Sequence, residues 1–388
     1  MPGRLAIDFG TSNTVVALWD QAREEGVPYL VPDYGTELIV AQEEQTLQTV
    51  AVVPSLIHYA PENKRWIGQQ VREQNLLASE RTFRWMKRYI AHRSPVKRRM
   101  DGKEISYFDA GCDFVSTLLT FVAVEMNLSD EEIALTVPVE SFEHYENWLA
   151  EVSESAGLPR YRLIDEPSAA ALGYGAHIQP GNVYVIFDFG GGTLDVSVVL
   201  IEEEEKAQAG RRCRALGKAG TELGGMVLDS WLFQEVLKRN HRSESDEDVR
   251  RLSLALLKEC ERAKEQLSIQ ERADISVMDP TSGSLLSAEM TRRDFEDLLD
   301  EHDAYARVDQ TIRRALGLAR ERGYDEDKIQ AVLLVGGSSM IPSIQRTVQR
   351  IFGRDRVMLE RPLDAVARGA AAFVAGVDFY DHIQHDYA

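Results

Sequence analysis

Along this chain, short apolar runs alternate with longer segments in which apolar positions recur every three or four residues. The runs at 5–7, 134–137, 183–187 and 331–335 have the length of buried strands, and Pro138 ends the second of them. Strands of this kind separated by helices predict an α/β fold.

Helical spacing predicts helices over 114–126, 142–156 and 246–268, and a fourth helix opens at Glu166 with Pro167 in its first turn. Asp113 is the expected N-cap of the first helix. In the third, the residues expected to face the core are Leu252, Ala255, Leu256, Ala263 and Leu267. Charged stretches at 202–206 and 239–251 are expected to be solvated connections.

Two segments, 8–18 and 188–198, share one pattern. Each follows an apolar run, begins Asp-Phe-Gly, continues through small and hydroxyl residues, and ends in a second apolar run. This order predicts a β-hairpin with a tight glycine turn in each segment. The repeat therefore predicts a molecule with two similar halves.

Composition narrows the class of protein. With 388 residues, 44% of them hydrophobic and 28% charged, the chain is expected to be globular with two or more domains. No run approaches 18 apolar residues and no signal-peptide core follows Met1, so we expect a cytoplasmic protein without a membrane span. The net charge of −19 argues against binding to nucleic acid or membranes. Cys112, Cys213 and Cys260 match no metal or disulfide spacing.

The hairpin tips carry the candidate chemistry. Glycine turns let backbone N–H groups converge on an anion, and Thr11, Ser12 and Thr193 add hydroxyl donors. Asp8 and Asp188, just before the turns, would repel phosphate unless a divalent cation lay between, and Mg²⁺ binds with one or two carboxylates plus phosphate oxygens. Neither a P-loop nor a Rossmann fingerprint occurs. Two facing loops that clamp a magnesium-bound polyphosphate are therefore predicted.

The resemblance to a family rests on five segments, 7–16, 162–175, 185–198, 332–342 and 364–372. They resemble the phosphate-one, connect-one, phosphate-two, adenosine and connect-two motifs of the actin, hexokinase and heat shock protein 70 superfamily. Residues 163–175 and 260–264 are similar to the chaperone versions, so the chain resembles a divergent nucleotide-binding domain of the DnaK-like heat shock protein 70 chaperones. The resemblance implies an α/β, actin-like ATPase fold: two lobes of duplicated ribonuclease H-like subdomains around a central nucleotide cleft.

The domain boundaries follow from the same resemblance. Lobe I is expected at 1–182, with its core at 1–38 and 108–182 and a peripheral insert at about 39–107. Lobe II is expected at 183–358, with its core at 183–220 and about 290–358 and an insert at about 221–289; 359–388 would return to lobe I. No peptide-binding domain is expected within these residues, as in a stand-alone ATPase domain or one part of a longer protein.

The resemblance also implies roles for individual residues. Asp8 and Asp188 would hold Mg²⁺ through water, and a potassium ion is a further implied ligand near Asp195. The implied catalytic residues are Asp8, Lys87, Glu166, Asp188, Thr193 and Asp195. The implied phosphate-binding residues are Gly10, Thr11, Ser12, Asn13, Gly190, Gly191, Gly192 and Thr193. The implied adenosine-binding residues are Gly224, Gly225, Glu261, Lys264, Glu265, Ser268, Gly336, Gly337, Ser338 and Met340.

Two of these positions depart from the family. Glu265 and Met340 stand where two arginines sandwich the adenine in the chaperones. Because a cation stacked on an aromatic ring contributes about 1 kcal/mol, we expect weaker or less base-selective nucleotide binding.

The resulting expectation is an ATPase that binds ATP or ADP with Mg²⁺, hydrolyses ATP slowly and couples nucleotide state to lobe closure. The resemblance implies co-chaperones, exchange factors and client proteins as partners. Three alternatives stay open: a weakly hydrolysing or non-hydrolysing regulatory module, favoured by the altered adenine pocket; a small-molecule kinase of the same superfamily; and a filament-forming actin relative. The Glu166 helix and the Lys87 segment argue against the kinase.

Overall fold

The computed structural model describes residues 3–41, 47–128, 130–138, 143–158, 160–175, 178–202 and 213–377. Its strands are β1 Leu5–Asp8, β2 Asn13–Asp20, β3 Glu25–Pro28, β4 Thr36–Ala41, β5 Leu47–Pro54, β6 Leu56–Tyr59, β7 Arg65–Ile67, β8 Thr82–Arg84, β9 Lys97–Met100, β10 Lys103–Ser106, β11 Ile133–Val137, β12 Tyr161–Asp165, β13 Val183–Phe189, β14 Leu194–Ile201, β15 Cys213–Thr221, β16 Arg272–Met278, β17 Leu285–Thr291, β18 Ile329–Val335 and β19 Val357–Met358.

The helices are α1 Gln69–Glu73, α2 Met86–Ala91, α3 Tyr107–Glu125, α4 Glu143–Ser155, α5 Glu166–Tyr174, α6 Gly225–Arg239, α7 Glu247–Ile269, α8 Arg292–Glu301, α9 Ala304–Glu321, α10 Pro342–Phe352 and α11 Ala365–Val374. Short 3-10 helices occupy Glu326–Lys328, Gly337–Met340 and Arg354–Arg356.

Two sheets repeat one topology. In the first, β3, β2, β1, β11 and β12 are neighbours in that order; β1 is antiparallel to β2 and parallel to β11. In the second, β15, β14, β13, β18 and β19 follow the same order with the same strand directions. The two Asp-Phe-Gly hairpins are therefore equivalent elements of two similar halves. This confirms the α/β, actin-like fold with two lobes that the sequence predicts; the boundaries of the lobes stay a prediction.

Helices α5 and α11 lie between the sheets. Their small residues share one buried cluster with Ala6 and Ala134 of the first sheet and with Ile186 and Leu333 of the second. The two helices cross closely: a Cβ atom built on Gly173 would overlap the carbonyl oxygen of Ala365, and one built on Gly369 would overlap that of Ala169. Glycine at both positions lets the backbones touch and brings the sheets close together.

Helix α3 begins earlier than the sequence predicts. It starts at Tyr107, and Ser106 caps it in a capping box with Asp109, so the prediction of Asp113 as N-cap is wrong. Asp113 instead lies inside the helix and accepts a hydrogen bond from Tyr59 Oη (2.7 Å). Its spacing from the apolar run resembles a cap, but the stronger Ser-x-x-Asp signal begins at Ser106, about two turns upstream.

Within the described residues, α4, α5 and α7 confirm the other predicted helices, but Ala255 of α7, a position expected to face the core, is only half-buried. Residues 239–251 run from the end of α6 into the first turns of α7, so they are partly helical and not simply a connection. Phe142, 203–206 and the end of the chain from 378 lie outside the described residues. Cys112, Cys213 and Cys260 are buried free thiols. Only α3, among the described helices, has the length and composition to cross a membrane, and most of it is buried in the protein core.

The glycine crossing generates a test of stability. Gly369→Ala forces the added methyl group into the backbone of α5, so we expect it to destabilise the protein by about 1–3 kcal/mol, as overpacking does. Gly317→Ala is the control: it lies in α9 with nothing near its Cβ position, so alanine there is expected to stabilise by about 0.5–1 kcal/mol. Urea unfolding measures both. Equal stability of the two variants would contradict the close crossing.

Candidate functional site

A cleft of about 770 Å³ lies between the two sheets, and the predicted site residues line it. Gly224 is absent from the described lining: it lies behind the second loop, where a Cβ atom would overlap the Gly192 backbone. The predicted residues in the lining are Asp8, Gly10, Thr11, Ser12, Asn13, Lys87, Glu166, Asp188, Gly190, Gly191, Gly192, Thr193, Asp195, Gly225, Glu261, Lys264, Glu265, Ser268, Gly336, Gly337, Ser338 and Met340.

The two hairpin tips face each other across this cleft. A Cβ atom built on Gly191 would collide with Ser12 Oγ, and one on Gly192 would lie 3.5 Å from Thr11 Oγ1. Ser55 fixes the first tip, because its hydroxyl donates to the Gly10 carbonyl oxygen (2.8 Å). The tips therefore face each other, as the repeated motif predicts, and phosphate binding between them stays a prediction.

The second tip is held by two other elements. The first backbone N–H groups of α6, from Gly225 and Met226, donate to the carbonyl oxygens of Gly190 (3.0 Å) and Gly191 (2.9 Å). Ser338 Oγ also donates to the Gly190 carbonyl oxygen, at 2.9 Å. Three segments far apart in sequence therefore set the shape of one loop, and the loop is preorganised for a ligand.

Gly336 lets the third glycine segment approach the carboxylates. Its φ is +84°, in the region that favours glycine, and a Cβ atom there would lie 2.7 Å from Asp188 Oδ1. The Gly336 N–H donates to the carbonyl oxygen of Pro362 (2.7 Å), which fixes the turn. A side chain at this position would fill space beside Asp188.

Lys87 and Glu166 form an ion pair at one end of the cleft. Lys87 Nζ donates to Glu166 Oε1 at 2.6 Å, and both side chains are largely buried. Burial alone would lower the pKa of Lys87, but the nearby Glu166 carboxylate outweighs it and the pKa is raised. Lys87 is therefore a permanent cation. Glu166 is placed by its position at the start of α5, where Asp165 caps the helix by accepting from Ser168 N (2.9 Å).

Asp8 and Asp188, at the ends of β1 and β13, carry perturbed carboxyl groups. Burial raises the pKa of Asp8, with Lys87 opposing and Glu166 adding to the effect; Thr136 Oγ1 donates to Asp8 Oδ1 at 2.9 Å. Burial, followed by the charges of Glu166 and Asp195, raises the pKa of Asp188 to about 8. Both carboxyl groups thus lack enough positive charge around them.

This shortage of positive charge fits a magnesium ion. A cation between Asp8 and Asp188 would restore their ionised forms, and Mg²⁺ keeps much of its water shell. Within the described residues, no group of three or more His, Cys, Asp or Glu side chains could hold a metal directly. The residues present therefore fit an ion that is bound through water and ligand oxygens.

The opposite end of the cleft is built on α7. Lys264 Nζ pairs with Asp229 Oδ1 (2.7 Å) and donates to the Gly225 carbonyl oxygen (3.1 Å). Burial, and then the Glu261 carboxylate, raises the pKa of Glu265 to about 7. Ser268 Oγ donates to the Lys264 carbonyl oxygen (3.1 Å). The four residues of α7 that the resemblance implies for adenosine binding do line the cleft.

Several site residues escape sequence reasoning. Thr136 and Asp229 contact predicted residues, and Tyr145 lines the cleft near Lys87. Thr136 could have been found, because it is the polar residue within the buried strand β11, which lies beside the first hairpin. Tyr145 and Asp229 lie on amphipathic helices, α4 and α6, and the apolar pattern of these helices does not indicate that either residue lies near the cleft.

The raised pKa of Asp188 predicts that the stability of the protein depends on pH. Asp188 in the folded protein stays protonated up to about pH 8, whereas an unfolded aspartate ionises near 3.8. The folded state therefore binds more protons between these values, and this group lowers stability progressively as pH rises from about 4 to 8. Asp188→Asn should raise the melting temperature of the nucleotide-free, chelator-treated protein at pH 8 and change it little at pH 4.

Asp279→Asn is the matched control for that measurement. The Asp279 carboxylate accepts hydrogen bonds from Arg251 (2.7 Å), Thr281 N (2.9 Å) and Ser282 (2.8 Å), which hold its pKa well below the usual range. Its replacement should lower the melting temperature at pH 8. A lower melting temperature for Asp188→Asn at pH 8 would contradict the shortage of positive charge.

Comparison with known proteins places this cleft in a family. A model of the family "Hsp70 protein" matches residues 123–379. Chaperone protein DnaK of Deinococcus proteolyticus is 28% identical over 404 aligned positions, which cover 96% of this chain and 59% of that protein. Chaperone protein DnaK of Deinococcus deserti has the same identity and coverage. The chain thus spans 59% of the length of each curated relative. The matched residues contain the second hairpin, the Glu166 helix and the α7 face, and the chain is a divergent member of the heat shock protein 70 family.

Proposed function

We propose that this chain is a chaperone-type ATPase domain that binds ATP or ADP with Mg²⁺ between its two lobes and hydrolyses ATP slowly. The observation that carries the proposal is the pair of facing hairpin tips, in which Gly191 and Ser12 nearly touch. The two halves thus present glycine loops and a carboxylate each to one cavity, as a clamped polyphosphate requires.

The residues divide the work by position. The loop at Gly10–Asn13 and that at Gly190–Thr193 bind the phosphates, with hydroxyl donors from Thr11, Ser12 and Thr193. Asp8 and Asp188 would hold the magnesium ion through water, and the ion would neutralise phosphate charge. Lys87 stabilises charge on the transferring phosphoryl group, Glu166 orients the attacking water, and Asp195 lies beside them. Catalysis by positioning and electrostatic stabilisation suits phosphoryl transfer.

The α7 face and the glycine turn at Gly336 would bind the nucleoside. Glu261, Lys264 and Ser268 would face the ribose and base, while Gly336, Gly337 and Ser338 would approach the nucleoside from its other side. Gly224 and Gly225 support this end from the start of α6. The cytoplasmic location, the co-chaperones, exchange factors and clients, and a potassium ion belong to the same proposal; they follow from the family of the relatives.

A second candidate is a regulatory module that binds nucleotide without hydrolysing it. The observation in its favour is the base end of the cleft, where Glu265 and Met340 replace two stacking cations and Lys264 is engaged by Asp229. Phosphate release at saturating ATP separates the two functions, because the module would bind ATP and release no phosphate.

Removal of the Lys87 charge tests the catalytic role. Lys87→Ala should slow single-turnover ATP hydrolysis by about 100-fold or more while ATP binding stays nearly intact. Removing one preorganised group that stabilises the transition state typically lowers the rate by about that factor. Rapid-quench measurement gives the rate. Lys238→Ala, at an exposed ion pair with Glu235, should keep the parental rate. Hydrolysis by Lys87→Ala at the parental rate would contradict the catalytic role proposed for Lys87.

Glu265 predicts a pH effect on nucleotide affinity. With its pKa raised to about 7, Glu265 is largely neutral at pH 6 and ionised at pH 8, where its charge opposes an anionic ligand. Parent and Glu265→Gln should bind ADP equally at pH 6. At pH 8 the parent should bind ADP about three- to tenfold more weakly than Glu265→Gln does, as expected for like charges several ångströms apart.

Calorimetry at the two pH values measures this ratio. Its pH dependence isolates Glu265, since the titration of Asp188 affects both proteins alike. Glu261, Lys264, Arg72 and Asp229 surround Glu265 in both proteins as well. A ratio that stays constant between pH 6 and pH 8 would show that Glu265 does not face the bound nucleotide.

A further inference from the structure

Tyr145 carries a polar atom that the described protein leaves unused. Its side chain is 2% exposed, it lines the cleft, and its hydroxyl has no hydrogen-bond partner among the described residues. A buried hydroxyl without a partner is unfavourable, so such groups are rare and call for an explanation. The ring packs beside Trp148 in the core around α3 and α4. Phenylalanine would pack there equally well, so packing alone does not require the hydroxyl.

The surroundings of the hydroxyl are the catalytic end of the cleft. The charges that act on it are those of Lys87, Glu166 and Asp8. Burial, opposed by Lys87 and assisted by Glu166 and Asp8, raises the pKa of the phenol above its usual value. Tyr145 is therefore neutral at every working pH and keeps its proton as a donor.

Two carboxylates near this donor already accept hydrogen bonds from other side chains. Asp8 Oδ1 accepts from Thr136, and Glu166 Oε1 accepts from Lys87 at 2.6 Å. Under the proposed function, Lys87 turns to the terminal phosphate of bound ATP. Glu166 then loses its cation while still buried, and a buried carboxylate without a donor is costly.

The geometry points to an exchange of partners: we propose that Tyr145 is a positioning residue whose hydroxyl donates to Glu166 once Lys87 has left that carboxylate for the terminal phosphate of ATP. The inference rests on the proposed function and deepens it. Tyr145 would hold Glu166 in place in the nucleotide complex.

A double-mutant cycle on nucleotide affinity tests the exchange. Tyr145→Phe should weaken ATP binding about tenfold, since a hydrogen bond to a charged group forms only in the ATP complex. ADP, which lacks the terminal phosphate, should bind as it does to the parent. In the Lys87→Ala background Tyr145 can donate to Glu166 with or without ATP, so adding Tyr145→Phe should leave ATP affinity unchanged. Calorimetry in Mg²⁺ measures all four proteins.

Melting temperatures without nucleotide supply an independent readout. Tyr145→Phe should leave the parent unchanged or slightly more stable, because it deletes an unpartnered hydroxyl, yet it should destabilise Lys87→Ala. Tyr59→Phe is the matched control: that buried hydroxyl donates to Asp113 Oδ2 (2.7 Å), so its loss should lower the melting temperature and leave ATP affinity alone.

The remaining outcomes are decisive. Parental ATP affinity in Tyr145→Phe overturns the exchange while the proposed function stands. An equal loss of ATP affinity with and without Lys87 overturns it too, because the hydroxyl would then contact the phosphates directly. A parent that binds neither ATP nor ADP overturns the proposed function itself.

Discussion

The close crossing of α5 and α11 is the contact on which the rest of the structure depends. Two helices of small residues lie back to back, with Gly173 against Ala365 and Gly369 against Ala169, and each also touches a sheet. Larger side chains there would spread the sheets apart. Because the crossing is so close, the ends of β1 and β13 meet at one cavity and their carboxylates share it. The position of the cleft carboxylates thus depends on two glycines, Gly173 and Gly369, that do not themselves belong to the predicted site.

The close approach of the two sheets also determines the electrostatics of the cleft. Asp8, Glu166 and Asp188 are buried together, and the two aspartates are driven toward their protonated forms. The positive charge of Lys87, which is paired with Glu166, compensates only part of the negative charge of these three carboxyl groups. The folded protein therefore accepts an unfavourable arrangement at the site, which is typical where a ligand or ion completes the balance. Stability supplied by the two large cores, one beneath each sheet, offsets that cost.

The sequence predicts the fold well because its strongest signals are local. The repeated Asp-Phe-Gly hairpins and the apolar strands specify the two sheets, and the family motifs identify most of the cleft lining. Long-range contacts are harder to predict. Nothing near Asp229 in the chain shows that it pairs with Lys264, and Tyr145 has the spacing of an ordinary core residue. The wrong cap at Asp113 has a local cause, since the capping box of Ser106 and Asp109 lies upstream of it.

The two ends of the cleft now differ in what they offer a ligand. The phosphate end keeps its glycine loops, each braced from outside by Ser55, Ser338 or the start of α6. Under the proposed function, the base end would present Glu265 and Met340 where the resemblance implies stacking cations, and Lys264 at this end is held by Asp229. Under the proposed function, most of the binding free energy comes from phosphates and metal, and little from the base. Such a domain would distinguish triphosphate from diphosphate more sharply than adenine from another base, and lobe closure would depend chiefly on the phosphate chain.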